Sequence, residues 1–180
     1  MMNLPNILTL SRMVLALPTL LLLMSGNVVG YYFSFLVFGI ASLTDFFDGR
    51  IARKRGLVTD LGRFLDQISD KILVTSVFLG FMAISRVSLW FLFILIFRDT
   101  LVSGIRMVAS SRGKVIAADA LGKVKTFSQM ILLVILYMNL LWDFPSQALV
   151  LWLEVFVAGV TAASGANYLF KNLDIFKGGD

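Results

Sequence analysis

Four aspartates, Asp45, Asp48, Asp66 and Asp70, carry the clearest chemical signal in this chain. The first two are three residues apart and the last two four apart, so on helices each pair shares one face. Carboxylates crowded where hydration is poor repel one another, and a cation must compensate them. Oxygen ligands alone select a hard ion such as Mg²⁺ or Mn²⁺. Two such ions can stabilise the attacking and the leaving oxygen of a phosphoryl displacement. Gly49 and Gly62 flank the acids and permit close approach of backbone or ligand, Ala52 leaves room on the same face, and Arg53 is placed to meet a phosphate. A lone acid pair would read as a solvated helix end joined to the arginines that follow it. Four acids in this order, with both glycines and Ala-Arg at fixed offsets, do not.

The elements that must position these residues are hydrophobic. Of 180 residues, 58% are hydrophobic and 15% charged, against about a quarter charged in a soluble domain. The chain has neither Cys nor His, which removes disulfides, thiolate and imidazole nucleophiles, Cys/His zinc sites and histidine acid–base catalysis. The formal charge of +5 falls in short loops between apolar runs, the pattern of membrane orientation rather than of nucleic-acid binding.

Six apolar runs, roughly 8–24, 29–47, 64–84, 89–108, 124–142 and 148–170, approach the length that crosses a bilayer. In lipid each must be a helix, because unpaired backbone groups find no water. The expected fold is an all-α integral membrane bundle of six transmembrane helices, one domain over residues 1–180. Residues 1–9 are expected along the interface, and the first span as a retained helix, since no A-x-A pattern follows it. Arg50, Arg53, Lys54, Arg55 and Arg63 flank one loop, and Arg106, Arg112, Lys114, Lys123 and Lys125 another; the opposite side offers Arg86 alone. That asymmetry predicts both termini, both basic loops and the acids at the cytoplasmic face. A loop over residues 49–61 would bring the two acid pairs together.

The stretch Asp45 to Asp70 is identified with the D-x-x-D-G-x-x-A-R-x8-G-x-x-x-D-x-x-x-D signature of the CDP-alcohol phosphotransferase family, position for position. The resemblance implies six membrane helices, a homodimer and a metal site open to the cytoplasm. It implies that Asp45, Asp48, Asp66 and Asp70 hold the metal, that Asp70 is also the general base, and that Asp48, Gly49, Ala52, Arg53 and Gly62 line the CDP pocket. Three further segments, NLPNILTLSR at residues 3–12, RDTLVSGIR at 98–106 and LGKVKT at 121–126, resemble the branch of the family that uses CDP-diacylglycerol and glycerol 3-phosphate to make phosphatidylglycerophosphate. Asp99 stands where that branch has glutamate, and Gln67 where it has proline.

An acceptor bearing a phosphate needs cations of its own, and Arg98, Arg106, Arg112, Lys123 and Lys125 are the expected ones. Arg98 lies about ten residues into a membrane helix, a costly place unless it binds something or pairs, for instance with Asp99. Glu154 reads as snorkelling or as half of a buried pair. Other acceptors within the family (inositol phosphate, phosphatidylglycerol, serine) are the nearest alternative. A divalent-cation transporter is the rival outside it, and predicts acids near mid-bilayer in several helices rather than at one end of two.

Overall fold

The computed structural model describes residues 4–55, 60–114, 116 and 119–174; of residues 4–8, 45–55, 60, 61, 63, 64, 66 and 67 it describes the backbone alone. The described residues form six α-helices and no strand: α1 (Leu4–Leu23), α2 (Val28–Arg55), α3 (Asp60–Ala83), α4 (Leu89–Ser111), α5 (Ala120–Trp142) and α6 (Gln147–Lys171). α5 and α6 are each long and apolar enough to cross a bilayer, and shorter apolar runs occupy Thr9–Leu23 and Val28–Thr44. The helices group into two compact units, Met1–Arg86 and Val87–Asp180.

In the first unit α1 packs against both α2 and α3. Its buried residues Thr9, Arg12, Ala16, Thr19 and Leu23 recur at steps of three and four, the repeat that keeps one helix face against its neighbours. The Ser34 hydroxyl of α2 donates to the Thr19 carbonyl at 2.9 Å. Gly80 lets α3 come close, since a Cβ there would lie 2.7 Å from Leu23 Cδ2. α1 begins at Leu4 and runs unbroken, so Asn6 and Thr9 belong to it rather than to a separate interfacial segment.

In the second unit α6 packs against both α4 and α5. Its buried face, Val150, Glu154, Val157, Thr161, Ser164 and Tyr168, shows the same alternating step. Glu154 does not snorkel: it is buried, and its Oε1 accepts the backbone N–H of Ser88 at 2.9 Å, immediately before α4. A carboxylate there meets an unpaired N–H and the positive end of the helix dipole. The Ser88 hydroxyl accepts from Phe91 N at 3.1 Å and completes the cap.

Several ends differ from the pattern of apolar runs. α2 continues through Arg55, so Gly49, Ala52 and Arg53 are helical and not in a loop. A single glycine costs a helix only about 1 kcal/mol, and Arg53, Lys54 and Arg55 at its carboxyl end suit the dipole. Likewise α5 begins at Ala120, which puts Lys123 and Lys125 on a helix.

Candidate active site

Helical backbone through both motif segments fixes the relation within each acid pair. On α2, Asp45, Asp48 and Ala52 fall at successive steps of three and four, and on α3 Asp66 precedes Asp70 by one turn. The side chains of Asp45, Asp48, Ala52, Arg53 and Asp66 lie outside the described residues, as does the convergence of the four acids. The described Asp70 points out of the unit with its side chain 49% exposed, while a buried guanidinium holds it from behind. Arg12 Nη1 of α1 donates to Asp70 Oδ1 at 2.5 Å, and the arginine side chain is only 2% exposed.

Arg12 was not among the residues that the motif singled out. Its signal is an ionisable group inside an apolar helix, on that helix's own three–four stripe. Helix spacing alone cannot name a partner 58 residues away.

The second unit gathers cations. Arg98 donates through Nη1 to Asp99 Oδ1 at 3.0 Å and through Nη2 to Ser164 Oγ at 2.7 Å. Lys125 Nζ spans both oxygens of Asp99 at 2.8 and 2.9 Å. Two cations thus share one carboxylate, a formal +1 that is almost wholly buried, with side chains 12%, 14% and 6% exposed for Arg98, Asp99 and Lys125. The trio stays positive, and Arg98 Nε is buried without a hydrogen-bond partner among the described residues. Gly165 makes the room: a Cβ there would sit 2.9 Å from Arg98 Cγ.

Arg106, two turns further along α4, is held differently. Its Nε donates to the Tyr168 hydroxyl at 3.1 Å, and its guanidinium carbon lies 5.6 Å from the centre of that ring. One buried tyrosine therefore orients the guanidinium from one side. Nη1 and Nη2 have no partner among the described residues. Lys123 and Arg112 are exposed, Arg112 as the carboxyl cap of α4. Nearby, Asp119 accepts from Asn167 Nδ2 at 2.5 Å and from Lys171 Nζ at 3.1 Å. The Lys171 hydrogen bond holds this carboxyl below its ordinary value.

The donor chemistry suits a hard divalent cation. With neither His nor Cys in the chain, the motif offers carboxylate oxygens alone, and Asp70 shows how one is presented: braced by a buried cation and itself half exposed.

Comparison with known proteins agrees with this reading. The family model for CDP-alcohol phosphatidyltransferase matches residues 2–160. The chain belongs to that family. Among curated relatives it is similar to a CDP-diacylglycerol–glycerol-3-phosphate 3-phosphatidyltransferase of Bacillus subtilis (strain 168), 36% identical over 98% of both chains. One of the same name from Rickettsia bellii (strain RML369-C) is 36% identical over 90% of this chain and 92% of its own. A probable phosphatidylglycerophosphate synthase of Mycobacterium tuberculosis (strain ATCC 25618 / H37Rv) is 32% identical over 95% of this chain and 82% of its own. The matched residues 2–160 take in Arg12, the aspartate motif, Arg98, Arg106 and Lys125.

Proposed function

We propose that this chain transfers a phosphatidyl group from CDP-diacylglycerol to glycerol 3-phosphate, giving phosphatidylglycerophosphate and CMP. What carries the reading is similarity across 98% of both chains to a relative named for that reaction, together with the intact aspartate motif. Asp70 takes the proton of the acceptor hydroxyl as its oxygen bonds to the phosphorus that bears diacylglycerol. The bond from that phosphorus to the CMP oxygen breaks, and Arg53 meets the charge on the departing CMP. Asp48, Gly49, Ala52 and Gly62 line the CDP site. Asp45, Asp48, Asp66 and Asp70 hold two Mg²⁺ or Mn²⁺ ions, which supply positive charge to the phosphate oxygens when bound.

The acceptor's phosphomonoester is the part that a neutral alcohol lacks. Arg106, with two open nitrogens, is its principal ligand in this proposal, beside Lys123 and Arg112, while Arg98 and Lys125 contribute the net positive charge they keep after pairing with Asp99.

The chain acts in the cytoplasmic membrane as a six-span homodimer, termini inside, with its chemistry at the cytoplasmic face, where an acylated donor meets a soluble acceptor. Outward Trp90, Phe97, Trp152 and Phe156, exposed by 74, 58, 73 and 61%, support immersion in lipid, since water-exposed apolar patches of that kind are rare. The test is CMP release by purified protein with CDP-diacylglycerol and, in turn, glycerol 3-phosphate, inositol phosphate, serine and phosphatidylglycerol. Glycerol 3-phosphate alone should support turnover; preference for an unphosphorylated alcohol overturns the acceptor and leaves the family standing.

A further inference from the structure

We infer that Arg12 is a positioning residue for Asp70: a buried cation that sets how the last motif carboxylate faces the reacting groups. The inference rests on the proposed role of Asp70. Arg12 takes a place on the packed stripe of α1 between Thr9 and Ala16, where an unpaired charge would be strongly destabilising. Its Nη1 reaches across to α3 and takes one oxygen of Asp70 at 2.5 Å. The two members of the pair are buried unequally, 2% exposed for the arginine and 49% for the aspartate. A pair serving only cohesion has no reason to leave its carboxylate half open. This arrangement sinks the cation into the helix interface and presents the anion.

The support behind Arg12 is packed on two sides. α1 packs against α2 and α3, which carry all four acids. It is pinned to α2 by the bond from Ser34 to the Thr19 carbonyl and fitted to α3 at Gly80 and Leu23. Side-chain orientation fixed by a second group is what acid–base and ligand chemistry requires, since a misplacement of about 1 Å can cost 10²-fold in rate. Arginine suits the role because its planar fork fixes direction as well as charge.

The charge sign separates this role from simple stabilisation. Removing the cation paired with a proposed metal ligand, Asp70, makes that ligand more attractive to divalent ions, while the loss of orientation slows turnover. The experiment compares Arg12→Gln, Arg12→Lys and Asp70→Asn in detergent. It measures kcat, KM for CDP-diacylglycerol and, by electron paramagnetic resonance without substrates, affinity for Mn²⁺. For Arg12→Gln, kcat should fall at least about tenfold with KM within about threefold and Mn²⁺ bound as tightly as in the wild type or more so. Arg12→Lys keeps the charge without the fork and should lie between the two. Should Arg12→Gln fail to fold, Arg12→Lys decides by the same criteria. The inference is overturned if the Arg12 variants that fold keep kcat within about twofold of the wild type, or lose kcat and Mn²⁺ affinity in parallel. Asp70→Asn separates the two levels: wild-type turnover there removes the role of Asp70 itself, whereas a dead Asp70→Asn beside fully active Arg12 variants removes only the role of Arg12.

Discussion

α1 and α6 each bury a stripe at alternating steps of three and four residues, and each stripe carries an ionisable side chain, Arg12 in the first and Glu154 in the second. Around α1 the buried charge is a cation and the half-open group a carboxylate, Asp70. In the unit built on α6 the shared carboxylate, Asp99, is buried between two cations, and the open donors belong to Arg106. The half-open charged group is thus a carboxylate in one unit and a guanidinium in the other. In the proposed reaction this is a division of labour, the first unit offering oxygen ligands to cations and the second offering donors to an anion.

The largest expected effect breaks the first half of that contrast. Asp45→Asn or Asp66→Asn replaces a charged ligand by a neutral amide, and CMP release should fall about 10³-fold or more, as when a group acting as part of a unit is lost. Excess chelator should do the same to the wild type, with Mg²⁺ or Mn²⁺ restoring it; full turnover in chelator would dissolve the contrast.

Next comes the core of the second unit. Asp99→Asn removes the charge of the carboxylate that buried Arg98 and Lys125 share, which should destabilise the protein by about 3 kcal/mol or more, measured as thermal unfolding in detergent. A variant as stable as the wild type would show that the trio is not a buried charge balance.

Open donors are tested more finely by KM for glycerol 3-phosphate. Arg106→Ala removes a charge-assisted contact of about 1.5–3 kcal/mol and should raise that KM about ten- to a hundredfold, leaving KM for CDP-diacylglycerol near its wild-type value. Tyr168→Phe keeps the ring and loses one hydrogen bond, so its effect should be about three- to tenfold. Equal effects of Arg106→Ala on both substrates would sink the separation of sites.

The smallest effect belongs to Asp119. Its carboxyl is lowered below 3.8 chiefly by the Lys171 hydrogen bond. A depressed carboxylate contributes stability above its unfolded pKa and loses it as pH falls through the folded value. Asp119→Asn should therefore be slightly less stable than the wild type at neutral pH, and the difference should shrink as pH falls below about 4 and vanish only below the lowered folded value. A difference that grows on acidification would reverse the assignment.

Apolar runs, charge clusters and the aspartate signature determined six helices, their order and the residues of the candidate site, because periodicity and motif spacing are local and act within one or two turns. They misjudged helix ends: residues 49–55 resemble a loop by composition, yet they continue α2. Pairing was decided by the tertiary structure alone. Arg12 finds Asp70 across 58 residues, Arg106 finds Tyr168 across 62, and Lys125 finds Asp99 across 26. Each depends on which helix faces pack together, and glycines such as Gly80 and Gly165, which set how closely they pack, look in sequence like any other. A buried charge announces that it needs a partner; only the packing of one helix on another names it.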